Sequence, residues 1–465
     1  MTRYRTLALI VLAAVAHGLF FIWYQRPDWF SQFAWTDQEG YRRLGQALAS
    51  TGKFTKFPDA PQFVPDVIRT PVYPLFLASI YKVAGTGQLP VVLAQTVLFS
   101  LICVFVYAIA RRIGNERVAL GAAALTALFA PLPYFGALVM TELWTAFVFT
   151  ASMWMAIRAV QSRRTIAFVA LGVLCGITAL SRPVFALFPV GIVLVGLVFF
   201  PLTGVAKRPS VASWAALLGA FVLVMLPWFA YNYVNFGRLT LSPAGGMGRG
   251  TWEGSWQATW SGRLQNELTL AAGESDDRAA IDAHVAAIAA RERLDAAPML
   301  EYVHQWQDIR RIWTTPTDPL ERVTARVKAD EEYMRVGRNN IRHQSWAHLL
   351  KRLARGVFIL WAGETPIRYS DTNMLPTIVI RTIWILQALL FAAALIGVYA
   401  LIRHGRAAEG CTLGAAIVYV TAVHFPILTE ARQSLPAMPT VLVLAAFGFA
   451  HLLTLKPQVH EREHL

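Results

Sequence analysis

The chain has 465 residues, of which 56% are hydrophobic and 15% charged, with a mean hydropathy of +0.46. This excludes a soluble globular protein, and its many apolar runs of about 20 residues match the roughly 30 Å hydrocarbon layer of a bilayer. The formal charge of +14 does not signal nucleic acid, because many arginines sit in short loops between apolar runs, where they set topology. Others lie in one large hydrophilic segment, where they can meet anionic lipid or phosphate.

In chain order, ten spans are predicted near residues 6–24, 89–110, 118–135, 140–157, 166–181, 184–200, 213–231, 375–402, 411–428 and 438–455. No small-residue cleavage site follows the first run, which reads as a retained anchor. Arg3, Arg5, Arg111, Arg112, Arg117, Arg158, Arg163, Arg164, Lys207, Arg208, Arg403 and Arg406 all fall on one side of such a bundle. The positive-inside rule then makes both termini cytoplasmic. Residues 25–88, the turns near Glu142 and Arg182, the segment 232–374 and the turn 429–437 face the other side, the periplasm in a bacterium. The expected organisation is an N-terminal membrane module (1–231), a mostly helical external domain (232–374) and a C-terminal membrane module (375–465).

Residues 38–51 and 71–84 show helical apolar spacing but are short, as expected of interfacial helices. The external segment opens with a glycine-rich run, Gly245-Gly246-Met247-Gly248, and shows helical patterns at 275–294, 299–313 and 317–337. The run 346–361 sets Lys351, Arg352 and Arg355 beside Leu349, Val357, Phe358 and Trp361, an amphipathic helix for the membrane surface or a partial eleventh span. No internal repeat is visible, which disfavours a transporter built from inverted halves.

Polar groups at a membrane are costly, so each invites a functional reading. Asp37 and Glu39 share one face of an extended loop and diverge on a helix, and spacing alone equally accommodates a solvated pair with Asp37 as a helix cap. Glu142, after Thr141 at the mouth of the fourth span, also suits a helix N-terminus. Arg69, Arg182 and Arg432 stand beside span mouths and Arg381 a turn or two inside a span. Each alone reads as an interface anchor, and as a group they read as a site. His424 reads as a structural histidine. The spacing of His284, His304, His343 and His348 suggests no metal site, and Cys103, Cys175 and Cys411 lie inside apolar runs as core residues.

Several local patterns resemble the integral-membrane glycosyltransferases of the GT-C superfamily, above all the protein-mannosyltransferase-like and aminoarabinose-transferase-like enzymes. They are Asp37-Gln38-Glu39-Gly40-Tyr41, Arg69-Thr70-Pro71-Val72-Tyr73-Pro74, Ala110-Arg111-Arg112-Ile113-Gly114, Thr141-Glu142-Leu143, Leu180-Ser181-Arg182-Pro183, Asn235-Phe236-Gly237 and Glu430-Ala431-Arg432-Gln433-Ser434-Leu435-Pro436. Relatives often carry the two first-loop acids adjacent, whereas Gln38 separates them here, and residues 255–374 match no family pattern.

The resemblance implies an all-α GT-C-type bundle that transfers a sugar, with inversion, from a polyprenyl-phosphate donor to a glycan, lipid or protein acceptor among the membrane lipids. It implies Asp37 as general base, Arg69 and Arg432 on the lipid phosphate with Arg182 and Arg381 behind them, and Glu142 and Glu39 as substrate-orienting acids. Tyr41, Tyr73 and Glu430 would line the substrate pocket. No cofactor is predicted, and a divalent metal is compatible but not indicated. A flippase for lipid-linked saccharide and a ligase or polymerase using lipid-diphosphate donors are the competing expectations.

Overall fold

The computed structural model describes residues 2–29, 36–202, 208–363 and 375–453, and the described chain is helical with no strand. Lys207, the end of the expected external domain (364–374) and the last residues of the chain lie outside that description. Eight helices are long and apolar enough to cross a membrane: Tyr4–Gln25, Gln88–Ile113, Thr141–Ser162, Pro183–Phe200, Val211–Phe236, Thr377–Arg403, Ala407–His424 and Ala431–Leu452. The other two predicted spans fall on shorter helices. Glu116–Leu128 stops because Pro131 and Pro133 break the run predicted as 118–135. Thr165–Ser181 stops before Arg182-Pro183 for the same reason.

Four helices place the site. α1 (Thr36–Thr51) carries Asp37 and Glu39 in its first turn, where acids complement the helix dipole. α2 (Thr141–Ser162) begins at the predicted Thr141-Glu142. α3 (Thr165–Ser181) delivers Arg182 at its C-terminal end. α4 (Met438–Leu452) is preceded by a 3₁₀ turn over Ala431–Ala437, with Glu430 at its N-terminus forming a capping box with Gln433. Much of α4 is buried, and the helix Thr377–Arg403 crosses it closely: a Cβ on Gly448 would stand 1.9 Å from the Ala393 carbonyl oxygen. Small residues allow such backbone approach between membrane helices.

Between the membrane helices, residues 247–343 form five helices around their own core, which includes Trp252, Leu268, Met299 and Tyr302. Ser261, Asp277, Asp295 and Asp318 each cap the N-terminus of one of them, so these boundaries follow from side-chain chemistry at the residue before each run. Of this group, the last two are α5 (Ala296–Thr314) and α6 (Pro319–His343). Next comes α7 (Trp346–Phe358), whose exposed stripe of Trp346, Leu350 and Leu353 suits a bilayer surface, followed by a π-helical turn over Ile359–Gly363.

Candidate active site

Because α1 starts at Thr36, Asp37 and Glu39 diverge. Glu39 turns to its own helix and binds Arg42 Nε at 3.0 Å and Arg43 Nε at 2.6 Å. Burial raises its carboxyl pKa, but the hydrogen bonds from Arg43 and Arg42 outweigh that and leave it lowered. Asp37 faces the bundle, where Arg69 Nη2 donates to its Oδ1 at 2.8 Å. Gln38, buried between them, accepts from the Val139 N–H at 2.8 Å and from Gln88, which fixes the rotation of α1.

Arg69 is held at its backbone and across its guanidinium face. Its own N–H donates to Asp66 Oδ1 at 2.8 Å, and its guanidinium lies 4.4 Å over the Tyr41 ring. Gly40 makes room for it: a Cβ there would stand 2.8 Å from Arg69 Cζ. Tyr41 meets Tyr73 edge-on at 5.1 Å, and Tyr73 donates its hydroxyl proton to Gln95 at 3.0 Å. Burial raises the Tyr41 phenol pKa, so this wall stays neutral.

The deeper half of the site is built on Glu142. Its Oε1 stands 3.7 Å from Arg182 Nη1 and 3.7 Å from Arg432 Nη1. Arg432 also stands 3.6 Å from Asp37 Oδ2, and its Nε donates to Glu430 Oε2 at 2.9 Å. Three carboxylates (Asp37, Glu142, Glu430) therefore alternate with three guanidiniums (Arg69, Arg182, Arg432) in one network at one end of the bundle. The Asp37 side chain is 44% exposed and that of Glu142 only 3%, so the network opens to solvent at Asp37. Among the described residues, Arg69 Nε, Glu142 Oε2 and Arg182 Nη1 are buried without a hydrogen-bond partner, an arrangement suited to polar substrate groups.

Eight of the ten residues singled out in the sequence thus meet here. Glu39 does not, for the helical reason above. Arg381 is exposed on its helix, and among the described residues no ion pair joins it to the network. His424 is buried and bonds through Nδ1 to the Val420 carbonyl. Among the described residues, no group of three or more His, Cys, Asp or Glu converges as metal ligands would.

Sequence reasoning grouped Arg352 with the interface cations, but the structure places it elsewhere. It is 3% exposed, on the face of α7 that also carries buried Gly356 and away from the apolar stripe. Its guanidinium lies 5.7 Å over the Phe425 ring, its Nε and Nη2 lack a hydrogen-bond partner, and no acid pairs with it among the described residues. Burial lowers its pKa to about 10. A glycine four residues after a cation in an amphipathic run was the available signal, since it marks a face pressed against protein.

This fold, with an acid–arginine network at one end of an apolar helical bundle, is that of a multi-pass helical membrane protein. Residues 68–231 match the family model of dolichyl-phosphate-mannose-protein mannosyltransferase, a stretch that holds Arg69, Glu142 and Arg182. The apo oligosaccharyltransferase of Archaeoglobus fulgidus aligns with 97% of this chain and 50% of its own, at 14% identity and a TM-score of 0.55. Oligosaccharyltransferase AglB of the same organism, in complex with an inhibitory peptide and a dolichol-phosphate, aligns with 100% of this chain and 53% of its own, at 15% identity and a TM-score of 0.51. ArnT from Cupriavidus metallidurans, bound to undecaprenyl phosphate, aligns with 93% of this chain and 77% of its own, at 14% identity and a TM-score of 0.41. The chain spans about half the length of the archaeal structures it matches. No curated protein matches it by sequence.

Proposed function

We infer that the chain is an inverting glycosyltransferase that moves a sugar from a polyprenyl-phosphate donor to an acceptor hydroxyl or phosphate. The reaction would take place at the external membrane face, the periplasmic face of a bacterial inner membrane, in envelope glycan modification or protein glycosylation. The observation that carries this reading is Asp37 itself. Arg69 anchors its Oδ1 at 2.8 Å, Oδ2 stands 3.6 Å from Arg432, and the side chain is 44% exposed at the open end of the network.

In the step this supports, the acceptor oxygen attacks the anomeric carbon as its proton passes to Asp37 Oδ2. The bond from that carbon to the phosphate oxygen breaks on the opposite side, and the electron pair leaves with the lipid phosphate. Glu142, between two arginines, would orient sugar hydroxyls, with Tyr41 and Tyr73 as the wall. Within the network three acids already balance three arginines, so a phosphate adds charge that needs a further cation. We propose Arg352 for this role, since it is buried without a paired acid among the described residues, on the helix α7 that packs through Gly356 against Thr429, next to Glu430.

The test is sugar transfer by purified protein supplied with a panel of polyprenyl-phosphate sugars and envelope extract. The wild type transfers, and Asp37→Asn, nearly isosteric, loses at least about 10²-fold with an unchanged melting temperature. Undiminished transfer by the variant removes Asp37 as base. Absent wild-type transfer, together with movement of lipid-linked saccharide across proteoliposomes, makes the protein a flippase instead.

A further inference from the structure

Behind Arg69, two adjoining cavities lie between the first loop and the external helices. One, of about 190 Å³, is walled by Lys56, Asp66, Trp313, Arg322 and Arg326. The other, of about 70 Å³, is walled by Trp306, Arg310, Trp313, Arg326 and Asp330 among others. Trp313 and Arg326 line both, so they form one groove. Its floor is the first loop, where Asp66 Oδ1 accepts the Arg69 N–H, so the groove begins where the acid–arginine network ends.

The groove is cationic in a specific way. Arg326 stacks on Trp313 at 4.4 Å and Arg310 on Trp306 at 5.0 Å. Stacking fixes a guanidinium plane and leaves its N–H edges to grip an oxyanion bidentately. Among the described residues, no carboxylate lies within ion-pair distance of Arg310, Arg322 or Arg326. The two acids in the walls are committed elsewhere. Asp66 pairs with Lys56 at 2.5 Å and accepts the N–H groups of Ile68 and Arg69. Asp330 accepts the N–H groups of Gly248 and Arg249. Burial lowers the Arg326 pKa despite attraction from Asp66 and Asp330, so its charge is under-compensated.

We propose that this groove binds an oxyanion-bearing saccharide, a sugar phosphate or uronate, and presents it toward Asp37 as the acceptor. The acceptor role rests on the transferase reading; the binding does not. The larger cavity is below the roughly 300–1,000 Å³ of a drug-sized ligand site, which suits one charged sugar unit rather than a whole glycan.

The test is binding by the full-length purified protein, followed by tryptophan fluorescence with glucose 6-phosphate, glucuronate, glucose and inorganic phosphate. Glucose 6-phosphate and glucuronate bind saturably below about 10 mM, at least tenfold tighter than glucose or inorganic phosphate. Arg310→Gln weakens both at least tenfold without changing the melting temperature, as does Arg326→Gln where it folds and, more mildly, Arg326→Lys. Exposed Arg263→Gln changes nothing. No saturable binding overturns the groove, as does equal binding by Arg310→Gln. Inorganic phosphate binding as tightly as the sugar phosphate overturns the saccharide assignment. Binding and transfer measured on the same wild-type preparation separate the two readings: intact sugar-phosphate binding with no transfer sinks the transferase alone, and transfer without binding sinks the groove alone.

Discussion

The guanidinium of Arg432 stands 3.6 Å from the carboxylate of Asp37, so the turn before the last helix closes onto the first turn of α1. The same nitrogen lies 3.7 Å from Glu142, and Nε binds Glu430, so one planar fork serves three acids. A lysine keeps the charge but has a single point of contact. Arg432→Lys is expected to fold with near-normal yield and to lose about 10²-fold in kcat. Steady-state kinetics check this, and a kcat within threefold of wild type would remove the fork from the mechanism.

Glu39 and Glu142 make opposite predictions. Glu39 is a half-exposed acid paired to its own helix, and such surface pairs contribute about 0–1 kcal/mol. Glu39→Gln therefore leaves transfer and melting temperature close to wild type. Glu142→Gln removes the acid shared by two arginines in a buried setting. Breaking a buried pair costs about 3–5 kcal/mol, so melting temperature and transfer both fall. A melting curve and a transfer assay on the two variants side by side decide it. Equal effects would mean that the network does not distinguish them.

How much of this was legible in the sequence depends on the kind of force involved. Hydrophobic runs and arginine sidedness are local signals, and they located every long apolar helix. Prolines are local too, yet Pro131 and Pro133 broke a run that hydropathy alone joined. Asp37, Arg69, Glu142, Arg182 and Arg432 were each visible as costly polar groups near the membrane face, and Glu430 only through the family resemblance, but their alternation is tertiary and no spacing encodes it. Glu39 went astray because the register of α1, set by Gln38 reaching Val139, decides which acid faces inward. Arg352 was missed because an amphipathic pattern with three cations does not say which one turns inward.

Arg352 predicts an inverse relation between stability and function. A buried cation without an acid costs folding free energy, and that cost persists only if something else requires the residue. Arg352→Gln is expected to keep or raise the melting temperature while weakening retention of polyprenyl phosphate by at least tenfold. Thermal unfolding with and without added undecaprenyl phosphate measures both, since a bound ligand raises the melting temperature and the variant should lose that rise. A destabilised variant with normal lipid retention would make Arg352 a structural residue.

Gly40 predicts a steric effect on the same site. A Cβ there meets the Arg69 guanidinium at 2.8 Å, and Arg69 is boxed by the Tyr41 ring and by Asp37. Gly40→Ala should improve the intrinsic helix propensity of α1 by roughly 0.5–1 kcal/mol while displacing Arg69 from Asp37. The expected result is an unchanged or slightly higher melting temperature with transfer reduced at least tenfold. Full activity in the alanine variant would show that the Arg69–Asp37 contact is dispensable.

Asp66 links the site to the groove and predicts a pH dependence. Burial raises its carboxyl pKa, but Lys56 and the Arg69 N–H outweigh that and leave it below its ordinary 3.8. A depressed carboxyl contributes stability that is fully present above its unfolded value and is lost as the pH falls through the folded one. Burial in turn lowers the Lys56 ammonium pKa, so Lys56 depends on Asp66 to stay charged in place. Asp66→Asn leaves that ammonium buried and unpaired, a cost of about 3–5 kcal/mol. The melting temperature of the variant should fall well below wild type at neutral pH, with the gap constant down to about pH 4 and closing below it. Melting curves from pH 7 to pH 3 measure this, and a gap that grows in acid would mean that Asp66 is not held ionised by Lys56.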